Sequence, residues 1–153
     1  MKKVFVYIFV PMNEVRIHTA TSEKEFQDIC NTVHNEPDRY KFISQFDVDG
    51  EWETVANNVI YTLNRIFESL GSVIRFEDRG RYFTKHAIKP VVCVQGDPFI
   101  NDVSVKFTYD FYDKVTSIMS DLCMEAGMCI VVEFNCEEAI LFRRKEDVKA
   151  DTV

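Results

Sequence analysis

The chain has 153 residues, is 46% hydrophobic and 28% charged, and carries a formal net charge of −7. That length fits one domain and buries roughly 70% of the unfolded surface, so no disulfide or metal staple is required. The acidic balance excludes a general nucleic-acid binder, whose affinity rests on cations facing phosphates, and no run approaches the ~20 apolar residues of a membrane span.

Residues 3–10, KVFVYIFV, are apolar almost throughout and predict a strand buried on both faces, central in its sheet. The flanking Lys2 and Lys3 resemble the start of a signal peptide, but the apolar stretch is short, and residues 11–14 turn the chain in place of a cleavage site. Residues 15–19 return as a second strand. Ser22 and Glu25 form a capping-box pattern, and Phe26, Ile29, Cys30 and Val33 then recur at helical spacing. Residues 40–46 read as a strand and residues 47–50 as a turn. Val55, Val59, Leu63, Ile66 and Leu70 mark a longer helix stopped by Gly71. Residues 73–76 begin a strand, Asp78-Arg79-Gly80 reads as a tight turn, and residues 81–85 as the returning partner. Residues 91–94 are a short buried strand, and residues 103–109 alternate as another. Phe111, Val115, Ile118, Leu122 and Ala126 stripe a third helix ended by Gly127. Residues 129–134 and 139–142 form a last hairpin. Residues 1–145 are thus expected to form one domain and residues 146–153, charged and short of apolar anchors, a frayed tail.

A repeat underlies this pattern. Residues 59–77 align without a gap on residues 115–133: Val59 on Val115, Leu63 on Met119, Ile66 on Leu122, Gly71 on Gly127, Ile74 on Ile130, Glu77 on Glu133. Each copy reads as helix, glycine stop, strand, turn and strand. The expected fold is therefore α+β: a largely antiparallel sheet with three helices on one face, containing a duplicated strand–helix–strand–strand module. In topology and length such a duplication resembles the gyrase-inhibitor-like effector-binding domains. That resemblance implies a small molecule bound between two related halves; the first 36 residues have no counterpart in it.

No motif of high specificity for catalysis is present. His18, His34 and His86 lack a second ligand at metal spacing, and HExxH and CxxC are absent. The run 46–51, FDVDGE, has part of a calcium loop, but Ala56 stands where the closing glutamate belongs. There is no glycine-rich phosphate loop and no nucleophile elbow. No cofactor and no metal are expected. The five cysteines, at 30, 93, 123, 129 and 136, are odd in number, and Cys30, Cys93 and Cys123 sit in apolar runs. Free thiols in a reducing, cytoplasmic setting follow.

Charge is unevenly placed. Residues 13–56 carry ten acids and four bases, and residues 97–138 nine acids and two bases. Residues 72–96 carry five bases and two acids, and the basic-aromatic set Arg75, Arg79, Arg81, Lys85, Tyr82 and Phe83 is expected to pair with acids of the same chain. Acid-rich surface near aromatics steers toward basic partners. The candidate partner surface is Asp97, Asp102, Asp110, Asp113 and Asp121 with Tyr109 and Tyr112. The function these features suggest is a non-enzymatic acidic protein that inhibits or modulates a macromolecule, of the immunity-protein, antitoxin or phage anti-host-factor type. Its partner would be a protein with a basic surface. The alternative is a small-molecule module with Glu77 and Glu133 near a site between the halves; the third is an enzyme of unrecognised class.

Overall fold

The apolar run at the N-terminus takes the centre of a sheet. The computed structural model describes residues 1–72, 75–83, 85, 88–95, 109–134 and 138–142. In it β1 (Lys3–Phe9) pairs antiparallel with β2 (Glu14–Ala20) on one side and β3 (Tyr40–Asp47) on the other. Alternate side chains of a strand go to opposite faces. Val4, Val6 and Ile8 therefore enter the main core, while Phe5 and Tyr7 join a second cluster with Ala20, Phe26 and Val33.

The second cluster is closed by α1 (Glu23–Asn35). The Ser22 hydroxyl accepts the Glu25 N–H at 3.2 Å, and the Glu25 carboxylate reaches back to the Thr21 N–H at 3.2 Å, one residue before the expected one. Phe26 then meets Phe5 edge-on, with centroids 6.2 Å apart.

The main core is built on α2 (Trp52–Ser69) and α3 (Tyr109–Ala126). Val55, Val59, Leu63 and Ile66 are buried on the first, and Val115, Ile118, Leu122 and Ala126 on the second, as their spacing predicts. Both helices stop at a glycine in the left-handed region, Gly71 (φ 77°) and Gly127 (φ 68°). The residue after each glycine donates back across the last turn, Ser72 to the Phe67 carbonyl (2.9 Å) and Met128 to the Cys123 carbonyl (3.1 Å), so the two ends close alike.

A second sheet has the order β4-β5-β6-β7: β4 (Arg75–Phe83), β5 (Ile88–Gln95), β6 (Ile130–Phe134) and β7 (Glu138–Phe142). Its β5–β6 pair is parallel; its other pairs are antiparallel. Phe76, Val92, Ile130 and Val132 complete the main core. Helix α2 touches β3 and β4, and α3 touches β2 and β7, so the two helices are the shared layer on which both sheets pack. Among the described residues no helix is long and apolar enough to cross a membrane.

The α+β class stands, with three helices and mostly antiparallel strands, but three expectations are corrected. There are two sheets, and α1 lies on the face of β1 opposite α2 and α3, because a strand apolar on both faces needs cover on both. Asp78-Arg79-Gly80 is not a turn. β4 runs through it with one extra residue opposite β5, a bulge in which the Asp78 carboxylate accepts the Gly80 N–H at 2.9 Å and Gly80 takes φ 102°. The chain reverses between Phe83 and Ile88 instead. Tyr109 opens α3 and does not end a strand. The strand expected over 103–108 and the tail at 146–153 lie outside the described residues.

Candidate functional site

The acidic face of α3 meets the edge strand β2. Lys114, Ser117, Ile118 and Asp121 recur at i, i+3, i+4 and i+7 and so share one side of the helix. Opposite them stand Met12 and Asn13 from the β1–β2 connection and Glu14 and Val15 from the start of β2, enclosing a groove of about 320 Å³. It continues into a smaller recess of about 130 Å³ that shares Val15 and Asp121 and adds Ile17, Met124 and Glu125. β2 forms one wall because its odd residues, Val15 and Ile17, face the helices and are only partly buried against the main core. The connection stays tight because Asn13 takes the left-handed conformation (φ 49°), which asparagine tolerates better than most residues.

The groove thus has an apolar floor of Val15, Ile17, Ile118 and Met124, with Glu14, Asp121 and Glu125 and, among the described lining residues, one cation, Lys114. Glu14 accepts from Arg16 Nε at 3.2 Å, and Glu125 accepts from the Thr19 hydroxyl across the β2–α3 interface. Met12, 67% exposed, stands at the rim as bare apolar surface.

Of the residues expected to meet a partner, Asp113 and Asp121 are exposed on α3. Tyr109, Asp110 and Tyr112 lie in the first turns of that helix, and Asp97 and Asp102 fall outside the described residues. Glu14 and Glu125 were missed. Each looks like ordinary solubilising charge in one dimension; Glu125 stands four residues after Asp121 on α3, and only the packing of β2 beside that helix adds Glu14 to them. Glu77 and Glu133 take positions in one cross-strand row, each opposite Cys93 of β5. Their backbone positions are therefore about 10 Å apart, two strand spacings.

Two cations of the basic-aromatic segment, Arg79 and Arg81, are paired within the chain. Arg81 donates to Glu53 twice, at 2.8 Å each, and to Asp78 at 2.9 Å, and Arg79 lies 3.9 Å from Glu77. The Arg81 bonds hold the Glu53 carboxyl below its ordinary range. Burial raises the Asp78 carboxyl, but the Gly80 N–H and Arg81 outweigh it and leave the group lowered.

Two of the thiols, Cys30 and Cys123, are poor nucleophiles. Burial pushes the Cys123 thiol far up, with Cys129 nearby adding to the shift, and burial also raises Cys30. A thiol attacks as thiolate, so neither is activated at neutral pH. His18 meets the Tyr7 hydroxyl at 3.0 Å and stacks on its ring at 5.5 Å, and His34 lies 5.5 Å from the Phe42 ring. Among the described residues no three His, Cys, Asp or Glu side chains converge as a metal site. No known protein family, characterised protein or solved structure matches the chain.

Proposed function

We propose that this chain is a non-catalytic binding protein that modulates a macromolecular partner, and that the β2–α3 groove receives a basic, partly apolar segment of that partner. The observation that carries this reading is an apolar floor set beside three carboxylates, one of them ion-paired to Arg16, and the Lys114 ammonium in two adjoining recesses. Apolar side chains of a partner gain from leaving water, while its cations are steered by the acidic wall. The unevenly acidic chain, with Asp113 and Asp121 exposed on α3, points the same way. Inhibition of a basic protein, as by an immunity protein, antitoxin or phage anti-host factor, is the matching activity.

The test is affinity capture from the native host, run in parallel with wild type and with Asp113→Asn/Asp121→Asn. A partner retained by wild type and lost by the variant supports the reading. Identical partners on both would contradict it.

A second reading rests on the row Glu77, Cys93, Glu133. Two glutamate positions on one face of the sheet would suit a cationic small molecule. We also infer that residues 52–77 and 111–133 are copies of one module. The first contains the 18-residue α2 and the second all but the first two residues of the 18-residue α3, each with the same glycine closure before a strand. The parallel β5–β6 pair argues that such copies are not related by a two-fold axis normal to the sheet, which would make neighbouring strands antiparallel.

A further inference from the structure

β2 is an edge of the first sheet, with β1 as its neighbour on one side. The backbone bonds of β1 decide which groups of β2 point off that edge. The Val10 N–H donates to the Arg39 carbonyl at 2.8 Å, and the Lys2 carbonyl accepts the Val48 N–H at 3.0 Å, so even-numbered residues along β1 turn their backbone groups toward β3. In an antiparallel ladder the N–H and C=O of one residue point the same way, and the direction alternates along the strand. Lys3, Phe5, Tyr7 and Phe9 therefore bond to their partners Ala20, His18, Arg16 and Glu14. Val15, Ile17 and Thr19 are left with N–H and C=O directed outward.

Among the described residues no backbone or side-chain group bonds to those outward groups. The edges at β3 and β4 differ, because side chains of α2 reach them: Arg65 donates to the Ile43 carbonyl, and Asn64 bonds to the backbone of Phe76. A row of open backbone groups is a template for a further strand.

The charge beside this row selects the strand. Val15 and Ile17 also floor the recess over which Asp121, Met124 and Glu125 stand on α3. An added strand sends alternate side chains into that recess, against apolar surface and toward the two carboxylates. On its other face it meets Glu14, Arg16 and His18. Glu14 and Arg16 pair at 3.2 Å, and His18 meets the Tyr7 hydroxyl at 3.0 Å. A second copy of this chain would bring its own Asp121 and Glu125 to the same seam and be repelled.

We propose that the partner segment received by the β2–α3 groove binds as an added β-strand, bonded through its backbone to Val15, Ile17 and Thr19 and carrying lysine or arginine at alternate positions. This rests on the reading of the groove given above and specifies the conformation and pattern of its occupant.

The test is an amide NMR titration with hydrogen exchange on the intact chain. The probes are an octapeptide alternating lysine and valine, the same peptide methylated at every backbone nitrogen, and an octapeptide alternating glutamate and valine. With the lysine peptide the Val15, Ile17 and Thr19 amides should gain protection, while those of Arg16 and His18, already bonded to β1, should not change. Methylation keeps the charges and removes the donors, so binding should fall about tenfold or more, the effect of several lost hydrogen bonds. The glutamate peptide should bind more weakly. Asp121→Asn should weaken the lysine peptide about two- to fivefold, the range of an exposed ion pair, and unshifted β1 amides report that the variant is folded. A lysine peptide that shifts residues 114–125 without protecting Val15, Ile17 and Thr19, or that binds as well when methylated, would overturn strand addition and leave the groove reading standing. No saturable binding, equal binding of the glutamate peptide, or unchanged affinity in Asp121→Asn would overturn both. Protection of the same amides without peptide, rising with protein concentration, would assign the edge to a second copy and overturn the proposal.

Discussion

The side-chain amide of Asn64 exchanges two hydrogen bonds with the backbone of Phe76: it accepts the Phe76 N–H at 2.7 Å and donates to the Phe76 carbonyl at 3.0 Å. β4 is an edge strand, and such an edge leaves a row of unpaired backbone groups. Asn64 reaches across from α2 and stands in for the missing neighbour. The same strand is pinned by Phe76 itself, 3% exposed and 5.3 Å from the Phe67 ring.

Replacing Asn64 by Leu keeps the bulk and removes both bonds. Loss of about 1–3 kcal/mol is expected, because the Phe76 groups lose their partners in a half-buried setting. Denaturant unfolding measures the loss, and hydrogen exchange at the Phe76 amide should accelerate first. Unchanged exchange at that amide would show that β4 does not need the clamp.

Ser44 and Thr62 meet in the main core, their hydroxyls 2.7 Å apart, with Ser44 7% exposed and Thr62 fully buried. The contact exists because β3 carries a bulge. Val6 pairs with Ser44 and Tyr7 with Phe42, so Ile43 is the extra residue and turns inward beside Ser44. Arg65 of α2 holds the bulge by donating to the Ile43 carbonyl at 3.1 Å. Thr62→Val leaves the Ser44 hydroxyl buried without this partner and should cost about 1–3 kcal/mol. Adding Ser44→Ala should recover part of that loss, which a double-mutant cycle reads directly. Additive losses would mean that the two hydroxyls are not coupled.

How much of this was legible in the sequence depends on range. The helix stripes, the Ser22 cap and the glycine stops are local, and they stand where the residue spacing put them. The run from Val4 to Phe9 announced a strand covered on both faces, and that fact alone is incompatible with three helices on one side. What was not legible is which element covers which face, because pairing partners are set by contacts far apart in the chain. The Asp78–Gly80 error has the same origin. Asp and Gly mark turns and bulges alike, and Arg81 reaching back to Glu53 on α2 favours the continuous strand. The groove was half legible. Asp121 stands out on the α3 surface with Glu125 four residues on, whereas Glu14 joins them only through packing of β2 against that helix.

The Arg81 network sets a pH dependence. Glu53 and Asp78 are both lowered in the fold. A carboxyl lowered on folding adds stability that is complete above its unfolded value, near 4, and lost as pH falls through the folded value. Arg81→Gln should therefore lower the melting temperature at pH 7 and change it little near pH 2. The fall between the two should be smaller in the variant than in wild type. Parallel melting curves across that range would show that solvent screens the network to nothing.

The central claim is that the β2–α3 groove carries partner binding through its acids. The most direct measurement is the association rate with a captured partner for wild type and for Glu14→Gln/Asp121→Asn/Glu125→Gln, at low and high salt. Charge steering is screened over ~8–10 Å at physiological ionic strength. Association of wild type should slow strongly with added salt, and the variant should associate slowly at low salt and respond little to it. Arg79→Gln, on the other sheet, should associate like wild type. A salt-independent wild-type rate, or a loss confined to Arg79→Gln, would contradict the account and move the functional surface to the basic segment of β4.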